Sequence, residues 1–437
     1  MSNRVSLFIP YIVFSFFIFG LISLDYTVFN DDKFFYTLSN EKSLSEFLVW
    51  RYFSWSSRII IEAVLFLIIS FSAFFQIFFV TLLYLFCALS LKHLLKPQTL
   101  LQNVIICFMV ASIPFCFINN TGWISNSMNY LFPLIFGIIS FESLYNPRPC
   151  FYYGIFLILT TFVASGMEQL CVVMLLIFGC VGLYYLVKYK KIMWFYVIQL
   201  EICMFNIALF ALCPGNSFRF GREIRKYSFD FLQWDFFTLF YRGLSHTMDY
   251  FFDEPFCILL VALDIVIFNL LAYDKKTRLS CFSTLVISAI TIFLIFFWHK
   301  EMHIFFVIDN KLGWYYLLFA SLFFCLIFSL FLLYKNTVFF YISLLFIFVG
   351  LLSSAILGLS PTLYASSVRI FFYFLFILYV LPLFSVLNDY DKQPKNKRFL
   401  ILSFLFSFYS YYLIQNIQIK YCFFYLLRFI RPCFFLP

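Results

Sequence analysis

Long apolar runs separated by short polar stretches are the feature that most constrains the fold of this 437-residue chain. A helix needs about 20 apolar residues to cross a bilayer, where its backbone polar groups must be hydrogen-bonded within the segment. Hydrophobic residues make up 64% of the chain and charged residues only 12%, a composition that excludes an ordinary soluble domain. The runs that approach the required length are 6–25, 73–91, 99–118, 130–146, 150–166, 169–187, 192–212, 256–273, 279–298, 313–334, 337–359, 368–387 and 399–416. We therefore predict an all-α polytopic membrane protein with about 11–13 transmembrane helices.

Lysine and arginine gather in alternate loops, and this pattern indicates the orientation of the chain in the membrane. The clustered basic residues are Lys92, Lys96, Lys188, Lys190, Lys191, Lys275, Lys276, Arg278, Lys392, Lys395, Lys397 and Arg398. All of these clusters are cytoplasmic if the N-terminus is cytoplasmic, which is the orientation that the positive-inside rule favours. The net charge of +9 then reflects topology, so nucleic acid is not expected as a partner.

The remaining polar residues are distributed unevenly between the two sides of the predicted membrane protein. The inner loops are short and basic, whereas the outer loops are longer and hold most of the carboxylates and tryptophans. The predicted outer loops are about 26–72, 119–130, 213–255, 299–312 and 360–368. Residues 1–437 are expected to form a single integral membrane domain without a separate soluble domain. Any chemistry is therefore expected on the outer side.

The first outer loop leads into a short apolar stretch from Ile59 to Ser70. Together with the span that follows, this stretch is too long for one crossing and too short for two. An interfacial helix or a re-entrant segment satisfies that length, so we predict one of these after the first outer loop.

Three carboxylates beside the predicted membrane surface are candidates for catalysis. Asp31 and Asp32 follow the first apolar run closely, and paired carboxylates beside a membrane are unusual without a function. The alternative for this pair is solvation of the loop or capping of a helix. Glu168 lies in a short outward turn, which places it near the membrane surface. Asp31, Asp32 and Glu168 are thus the predicted catalytic residues.

The second outer loop is dense in amides and hydroxyls, which suit hydrogen bonding to the hydroxyl groups of a sugar. Within this loop, Trp123, Asn129 and Tyr130 are predicted substrate contacts. The alternative for Trp123 is an anchoring role in the aromatic belt of the membrane interface.

The fourth outer loop opens with a Pro-Gly-Asn sequence that ends at Asn216, shortly before Arg219. We interpret it as a tight turn that brings the planar fork of Arg219 to a phosphate. A lipid headgroup or a carboxylate partner is the alternative for this arginine. Asn216, Arg58 and Arg222 are further predicted contacts of the same substrate.

These motifs occur in a defined order before about residue 220, and all lie on the predicted outer side. They are Asn30-Asp31-Asp32, Trp50 with Ser54-Trp55-Ser56-Ser57-Arg58, Gly122-Trp123-Ile124-Ser125-Asn126-Ser127-Met128-Asn129-Tyr130, Met167-Glu168-Gln169 and Pro214-Gly215-Asn216 to Arg219. The ordered set resembles a family of bacterial membrane enzymes, the serotype-converting O-antigen glucosyltransferases carried by temperate phages. The resemblance covers most of the first 220 residues or so and is weaker beyond them.

The resemblance implies a GT-C-like glycosyltransferase that takes glucose from undecaprenyl-phosphate glucose and transfers it to a lipid-linked O-antigen. The implied location is the outer side of the bacterial inner membrane, with Asp31 or Asp32 as the catalytic carboxylate. Membrane lipid and the membrane proteins that synthesise and flip the donor are the implied partners. No cofactor is required by this chemistry, and a divalent cation that bridges an Asp and the phosphate is left open.

Two other functions are compatible with a multi-span protein of this composition. An O-antigen polymerase also acts on lipid-linked sugars through basic outer loops, but it usually has no acidic pair after the first span. A lipid-linked sugar flippase or transporter is expected to carry charges along several spans and to consist of two similar halves. Intramembrane charge is sparse here and no repeat is visible, so the transferase is favoured.

The positions of the basic loops predict opposite locations for two reporter fusions. A reporter fused after Arg398 is expected in the cytoplasm, and one fused near Arg225 is expected outside the membrane. Alkaline phosphatase and green fluorescent protein fusions measure both locations. Activity on the same side for both fusion points would contradict the predicted topology.

Overall fold

The structure is a computed structural model that describes residues 7–115, 118, 121–227, 229–274, 276–302, 313–335, 337–363, 371–389 and 392–434. Over these residues every regular element is a helix, and no strand is found. Eight helices are long and apolar enough to cross a membrane, or up to ten if two bent helix pairs each count as one span. The all-α polytopic membrane class is therefore confirmed, and the chain is a multi-pass membrane protein.

The eight long apolar helices account for most of the predicted spans. They are Ala73–Leu95, Trp123–Leu144, Glu168–Tyr189, Trp194–Leu212, Arg278–Ile295, Tyr316–Tyr334, Val338–Leu359 and Phe372–Asp389. The predicted spans 99–118 and 150–166 correspond to the shorter helices Leu100–Ala111 and Phe151–Ala164. A helix rises about 1.5 Å per residue, so a 12-residue helix covers roughly 18 Å of a 30 Å hydrocarbon core. This difference in length accounts for two of the predicted spans, and two more, 6–25 and 256–273, fall in the bent helix pairs.

The described chain divides into two compact units. The first contains the described residues from the N-terminus to Arg222 and those from Ser407 onward. The second contains the described residues of Glu223–Ser366 and Ile370–Phe406. All residues that the sequence marked as catalytic or substrate-binding belong to the first unit.

Two antiparallel helices, Ile9–Asp25 and Ala73–Leu95, define the two ends of the first unit. At one end, the hydroxyl of Tyr26 donates a hydrogen bond to the side-chain oxygen of Gln76. At the other end, the ammonium of Lys92 lies 3.4 Å from the centre of the Phe8 ring. The basic turns therefore lie at the opposite end from the candidate site described below.

The predicted outer loop 26–72 is mostly helical. It forms Asn30–Glu41, Leu44–Ser54 and Ile59–Ile69, and the first of these meets Ile9–Asp25 at an angle of 88°. Ser43 and Glu46 cap the second helix reciprocally, as the spacing of a capping box requires. Ile59–Ile69 has only 11 residues and buries one face against the protein, so it is too short to cross a bilayer. Its length is compatible with the interfacial or re-entrant element that the sequence predicts after the first outer loop.

The predicted outer loop 119–130 also differs from the structure. Residues 119 and 120 lie outside the described residues, and a helix begins at Trp123 instead of near Tyr130. The helix continues to Leu144 through a π-helical turn at Ser127–Leu131. Hydropathy does not detect the start of this helix because the residues there are polar. The helix nevertheless forms, because its first N–H groups have a hydrogen-bond partner, described below.

The second unit is built from the helices that follow Arg222. They are Phe236–Asp253, Pro255–Ala272, Arg278–Met302, Gly313–Tyr334, Val338–Ala355 and Phe372–Asp389, together with the first part of Lys395–Phe434. The predicted outer loop 213–255 is therefore helical as well. Residues 303–312 and 364–370, which hold most of the predicted outer loops 299–312 and 360–368, lie outside the described residues.

Two glycines let backbones of the second unit pack directly on one another. A Cβ atom at Gly243 would lie 1.9 Å from the carbonyl oxygen of Ala355, and one at Gly358 would lie 1.9 Å from that of Leu239. Neither gap admits a methyl group without separating the two helices. These glycines therefore serve close packing, as small residues do in membrane helix pairs.

We expect Gly243→Ala to destabilise the protein by about 3 kcal/mol, because the added methyl group must displace backbone atoms. Gly20→Ala is the matched control, since a Cβ atom there meets nothing within 4 Å. Thermal unfolding of the detergent-extracted protein, followed by size-exclusion chromatography after heating, measures both variants. Equal melting temperatures for the two would disprove this packing.

Candidate functional site

Arg58 forms the centre of a polar network that joins distant parts of the chain. Its Nε donates to Oε2 of Glu168 at 2.7 Å, and its Nη2 lies 2.6 Å from the same oxygen. Its Nη1 donates to Oδ1 of Asn129 at 2.8 Å. Burial opposes the charge of Arg58, but the charge and hydrogen bond of Glu168, together with smaller effects of Tyr130 and Glu62, raise the pKa of the guanidinium. Arg58 therefore stays charged and orients two of the predicted site residues.

The network continues from Asn129 to Asp32 through the backbone of Ser125. Nδ2 of Asn129 donates to the carbonyl oxygen of Ser125 at 2.7 Å. The N–H of Ser125 in turn donates to Oδ1 of Asp32 at 2.8 Å, and the N–H of Ile124 donates to Oδ2 at 3.0 Å. Asp32, Asn129, Arg58 and Glu168, which come from four separate motifs, are thus linked by consecutive hydrogen bonds.

Asp32 caps the helix that begins at Trp123. The first N–H groups of a helix have no partner within it, and the helix dipole favours a negative charge there. Asp32 is completely buried and uses both carboxylate oxygens for these contacts. Gly122 has a φ of +150°, and a Cβ atom there would lie 2.5 Å from the Asp32 carboxyl carbon. A glycine is therefore required for the carboxylate to reach the helix.

The two adjacent aspartates differ in their surroundings. Asp31 is half-buried, and its backbone N–H donates to the carbonyl oxygen of Thr121 at 2.9 Å. Asp32 has the helix-capping role that the sequence left as an alternative to catalysis. Because both oxygens of Asp32 are engaged, Asp31 is the member of the pair with the better access to a substrate.

Three arginines surround the indole ring of Trp55. The guanidinium carbon of Arg222 lies 4.3 Å from the ring centre, that of Arg51 at 5.3 Å and that of Arg219 at 5.8 Å. These three guanidinium groups produce an excess of positive charge around one aromatic ring.

The predicted Pro-Gly-Asn turn is wrong, because Pro214 begins the helix Pro214–Tyr227. Proline is favoured at the first position of a helix, where its missing N–H is not needed. A Cβ atom at Gly215 would lie 2.5 Å from the backbone nitrogen of Trp55, so the glycine lets this helix approach the preceding motif. Nδ2 of Asn216 then donates to Oγ of Ser57 at 3.2 Å.

Two predicted substrate contacts are buried. Trp123 is completely inaccessible to solvent, and its ring packs edge-on against Phe115 at 5.1 Å. Its indole N–H donates to the carbonyl oxygen of Asp25 at 3.4 Å. Tyr130 is only 8% exposed. Trp123 thus supports the site by packing and presents no ring face to a ligand in this arrangement.

The ion pair between Arg51 and Glu62 was not predicted from the sequence. Nε of Arg51 lies 2.5 Å from Oε2 of Glu62 and Nη2 donates to Oε1 at 2.6 Å, with both side chains more than nine-tenths buried. A signal was present, because a lone carboxylate in an apolar helix such as Ile59–Ile69 requires a partner. Sequence alone does not identify that partner, since Arg51 and Arg58 are both nearby in the chain.

No group of three or more His, Cys, Asp or Glu residues in the described part of the chain has the geometry to hold a metal ion. Comparison with known protein families and with curated proteins finds no match for this chain. The resemblance of the ordered motifs to O-antigen glucosyltransferases therefore stays a prediction.

We expect Asp32→Ala to lower the stability of the first unit by about 2 kcal/mol, because two N–H groups at the start of a buried helix lose their acceptor. Asp31→Ala is the neighbouring control and should cost less, since no side-chain cap is removed. Thermal unfolding in detergent compares the two variants. The capping role is wrong if Asp32→Ala melts at the parental temperature.

Proposed function

We propose that this protein is a membrane glycosyltransferase that moves glucose from undecaprenyl-phosphate glucose to a lipid-linked O-antigen. The observation that carries the proposal is the hydrogen-bonded network from Asp32 through Asn129 and Arg58 to Glu168. These residues lie more than 130 positions apart at the extremes, yet each belongs to a motif of the resemblance. The hydrogen bonds between residues of four separate motifs support a common site at one end of the first unit.

The excess of positive charge beside Trp55 suits the phosphate of the donor. When the glycosidic bond breaks, the bridging oxygen leaves with the bonding electrons as part of a lipid phosphate. Arginine stabilises that developing charge without donating a proton to it. Arg219 and Arg222 are the proposed phosphate contacts, with Arg58 contributing from the network.

Asp31 is the proposed general base. The hydroxyl oxygen of the acceptor attacks the anomeric carbon of glucose, and its proton passes to the carboxylate of Asp31. The bond from the anomeric carbon to the phosphate oxygen breaks, and undecaprenyl phosphate leaves. Asp32 acts as a positioning residue, because it anchors the helix that carries Asn129.

The proposed location is the bacterial inner membrane with a cytoplasmic N-terminus. The basic turn at Lys92 then faces the cytoplasm, and the network faces the periplasm. Donor and acceptor are both lipid-linked, so they reach the site within the membrane plane. The proteins that synthesise and flip the donor are the expected partners.

Replacement of Arg219 by Lys is expected to lower glucosyl transfer strongly, by roughly tenfold or more, because it keeps the charge but removes the planar fork. Arg225→Lys, on the same helix and exposed, is the matched control and should transfer at the parental rate. Transfer from radiolabelled undecaprenyl-phosphate glucose in membranes measures both. Parental activity in Arg219→Lys and in Arg219→Ala removes this residue from the site.

Replacement of Asp31 by Asn deletes the proposed base while preserving size, so the transfer rate should fall by roughly 100-fold or more. Asp32→Asn should lose less in rate but should melt earlier, because an amide NH2 group then faces a backbone N–H. The same assay, with melting temperatures for both variants, separates the two roles. If both variants insert normally and transfer at the parental rate, the O-antigen polymerase function should be tested next, by chain-length analysis of the O-antigen.

A further inference from the structure

Two buried oxygens, on side chains that are hydrogen-bonded to Arg58 and Ser57, have no hydrogen-bond donor among the described residues. They are Oε1 of Glu168 and Oδ1 of Asn216. Glu168 is bound to Arg58, and Asn216 is bound to Ser57, so the two acceptors are held by consecutive residues. A buried acceptor without a donor is unfavourable, and in a binding site it indicates a missing ligand group.

The orientation of the Asn216 amide is determined by its neighbours. Its nitrogen donates to the carbonyl oxygen of Phe210 at 2.9 Å and to Oγ of Ser57 at 3.2 Å. Because a carbonyl oxygen only accepts, rotating the amide by 180° would place two oxygens in contact. Oδ1 is therefore the atom left without a partner, and it offers an acceptor in a defined direction.

The Glu168 carboxylate is asymmetric in the same way. Its Oε2 accepts from two nitrogens of Arg58, whereas Oε1 accepts from none of the described residues. The side chain of Glu168 is 29% exposed, so a ligand can approach the free edge of the carboxylate once neighbouring side chains adjust. The carboxylate is oriented by Arg58 and keeps one oxygen for an incoming donor.

We infer that Oε1 of Glu168 and Oδ1 of Asn216 bind hydroxyl groups of a hexose, so that this pair is the sugar-binding element of the site. The inference rests on the proposed function for the source of that hexose. Hydroxyl groups are donors, whereas a phosphate offers only acceptor oxygens and would be repelled by these two atoms. The sugar is thus oriented toward Glu168 and Asn216, and the phosphate toward the arginines beside Trp55.

The test uses the purified full chain in lipid nanodiscs with methyl β-D-glucoside and its monodeoxy derivatives as probes. Saturation-transfer NMR titrations measure the dissociation constant of each probe, and no transfer reaction is needed. We expect at least one deoxy derivative to bind the parental protein about tenfold more weakly than the parent glucoside, as loss of a hydrogen bond to a charged or fixed acceptor predicts. The Glu168→Gln and Asn216→Ala variants should bind the parent glucoside more weakly than the parental protein does, by a similar factor.

A double-mutant cycle assigns the hydroxyls to the two oxygens. The deoxy derivative that lacks the hydroxyl bound by Glu168 should have the same affinity for the parental protein and for Glu168→Gln. Its affinity for Asn216→Ala should still be lower than for the parental protein. Ser54→Ala is the matched control, because the Ser54 hydroxyl donates to the carbonyl oxygen of Trp50 and its removal keeps both acceptor oxygens, so glucoside binding should stay within about twofold. Melting temperatures show whether each variant is folded.

Equal binding of the glucoside and all of its deoxy derivatives to the parental protein would overturn the inference, since water would then satisfy both oxygens. This comparison uses only the parental protein, so the inference can be tested even if a variant misfolds. Glucoside binding as expected, without transfer from undecaprenyl-phosphate glucose, would refute the proposed function and leave the sugar-binding element intact. Parental rates of transfer with equal glucoside binding in all variants would refute the inference alone.

Discussion

The ion pair between Arg58 and Glu168 is the interaction on which the polar end of the first unit depends. Arg58 bridges the helix Glu168–Tyr189 to the helix that begins at Trp123, through its bond to Asn129. A guanidinium placed among apolar helices is costly to bury unless its donors are matched by acceptors. Removal of Glu168 would leave a half-buried cation uncompensated and would release Asn129. The Arg58–Glu168 pair therefore orients Asn129, while Asp32 is held separately by the N–H groups of Ile124 and Ser125.

A second ion pair provides the rigid support for the first. Arg51 and Glu62 tie the helix Leu44–Ser54 to Ile59–Ile69, and the four residues between these helices include Trp55 and Arg58. Buried ion pairs contribute little net stability, because desolvation offsets the attraction, but they hold one geometry. The close approach at Gly215 adds backbone contact on the other side of the same turn. The network residues are thus positioned by helices, although the sequence predicted them in loops.

Near Trp55, the groups suited to bind a phosphate and those suited to bind hydroxyls belong to different residues. Arginines lie over the indole ring, whereas the acceptor oxygens without a donor among the described residues belong to Glu168 and Asn216, which are bonded to Arg58 and Ser57. Cations attract a phosphate and free acceptors attract hydroxyls, so a ligand that carries both groups can bind in only one direction. The lipid-linked sugar phosphate of the proposed function has this combination of groups.

The sequence by itself determined the all-α membrane class, since runs of about 20 apolar residues have no other stable conformation in lipid. It also placed the important polar residues in a few motifs, because charge is expensive in such a chain and is concentrated where it has partners. The roles within those motifs were decided only by the tertiary structure. Asp31 and Asp32 are adjacent, identical residues in the sequence. In the structure, Asp32 caps the start of a helix about 90 residues away. The sequence predicts Trp123 as a substrate contact or an interfacial anchor, whereas the structure buries it against Phe115. Hydrogen bonds and ring contacts between distant segments depend on how helices are arranged in space, and hydropathy carries no information about that arrangement.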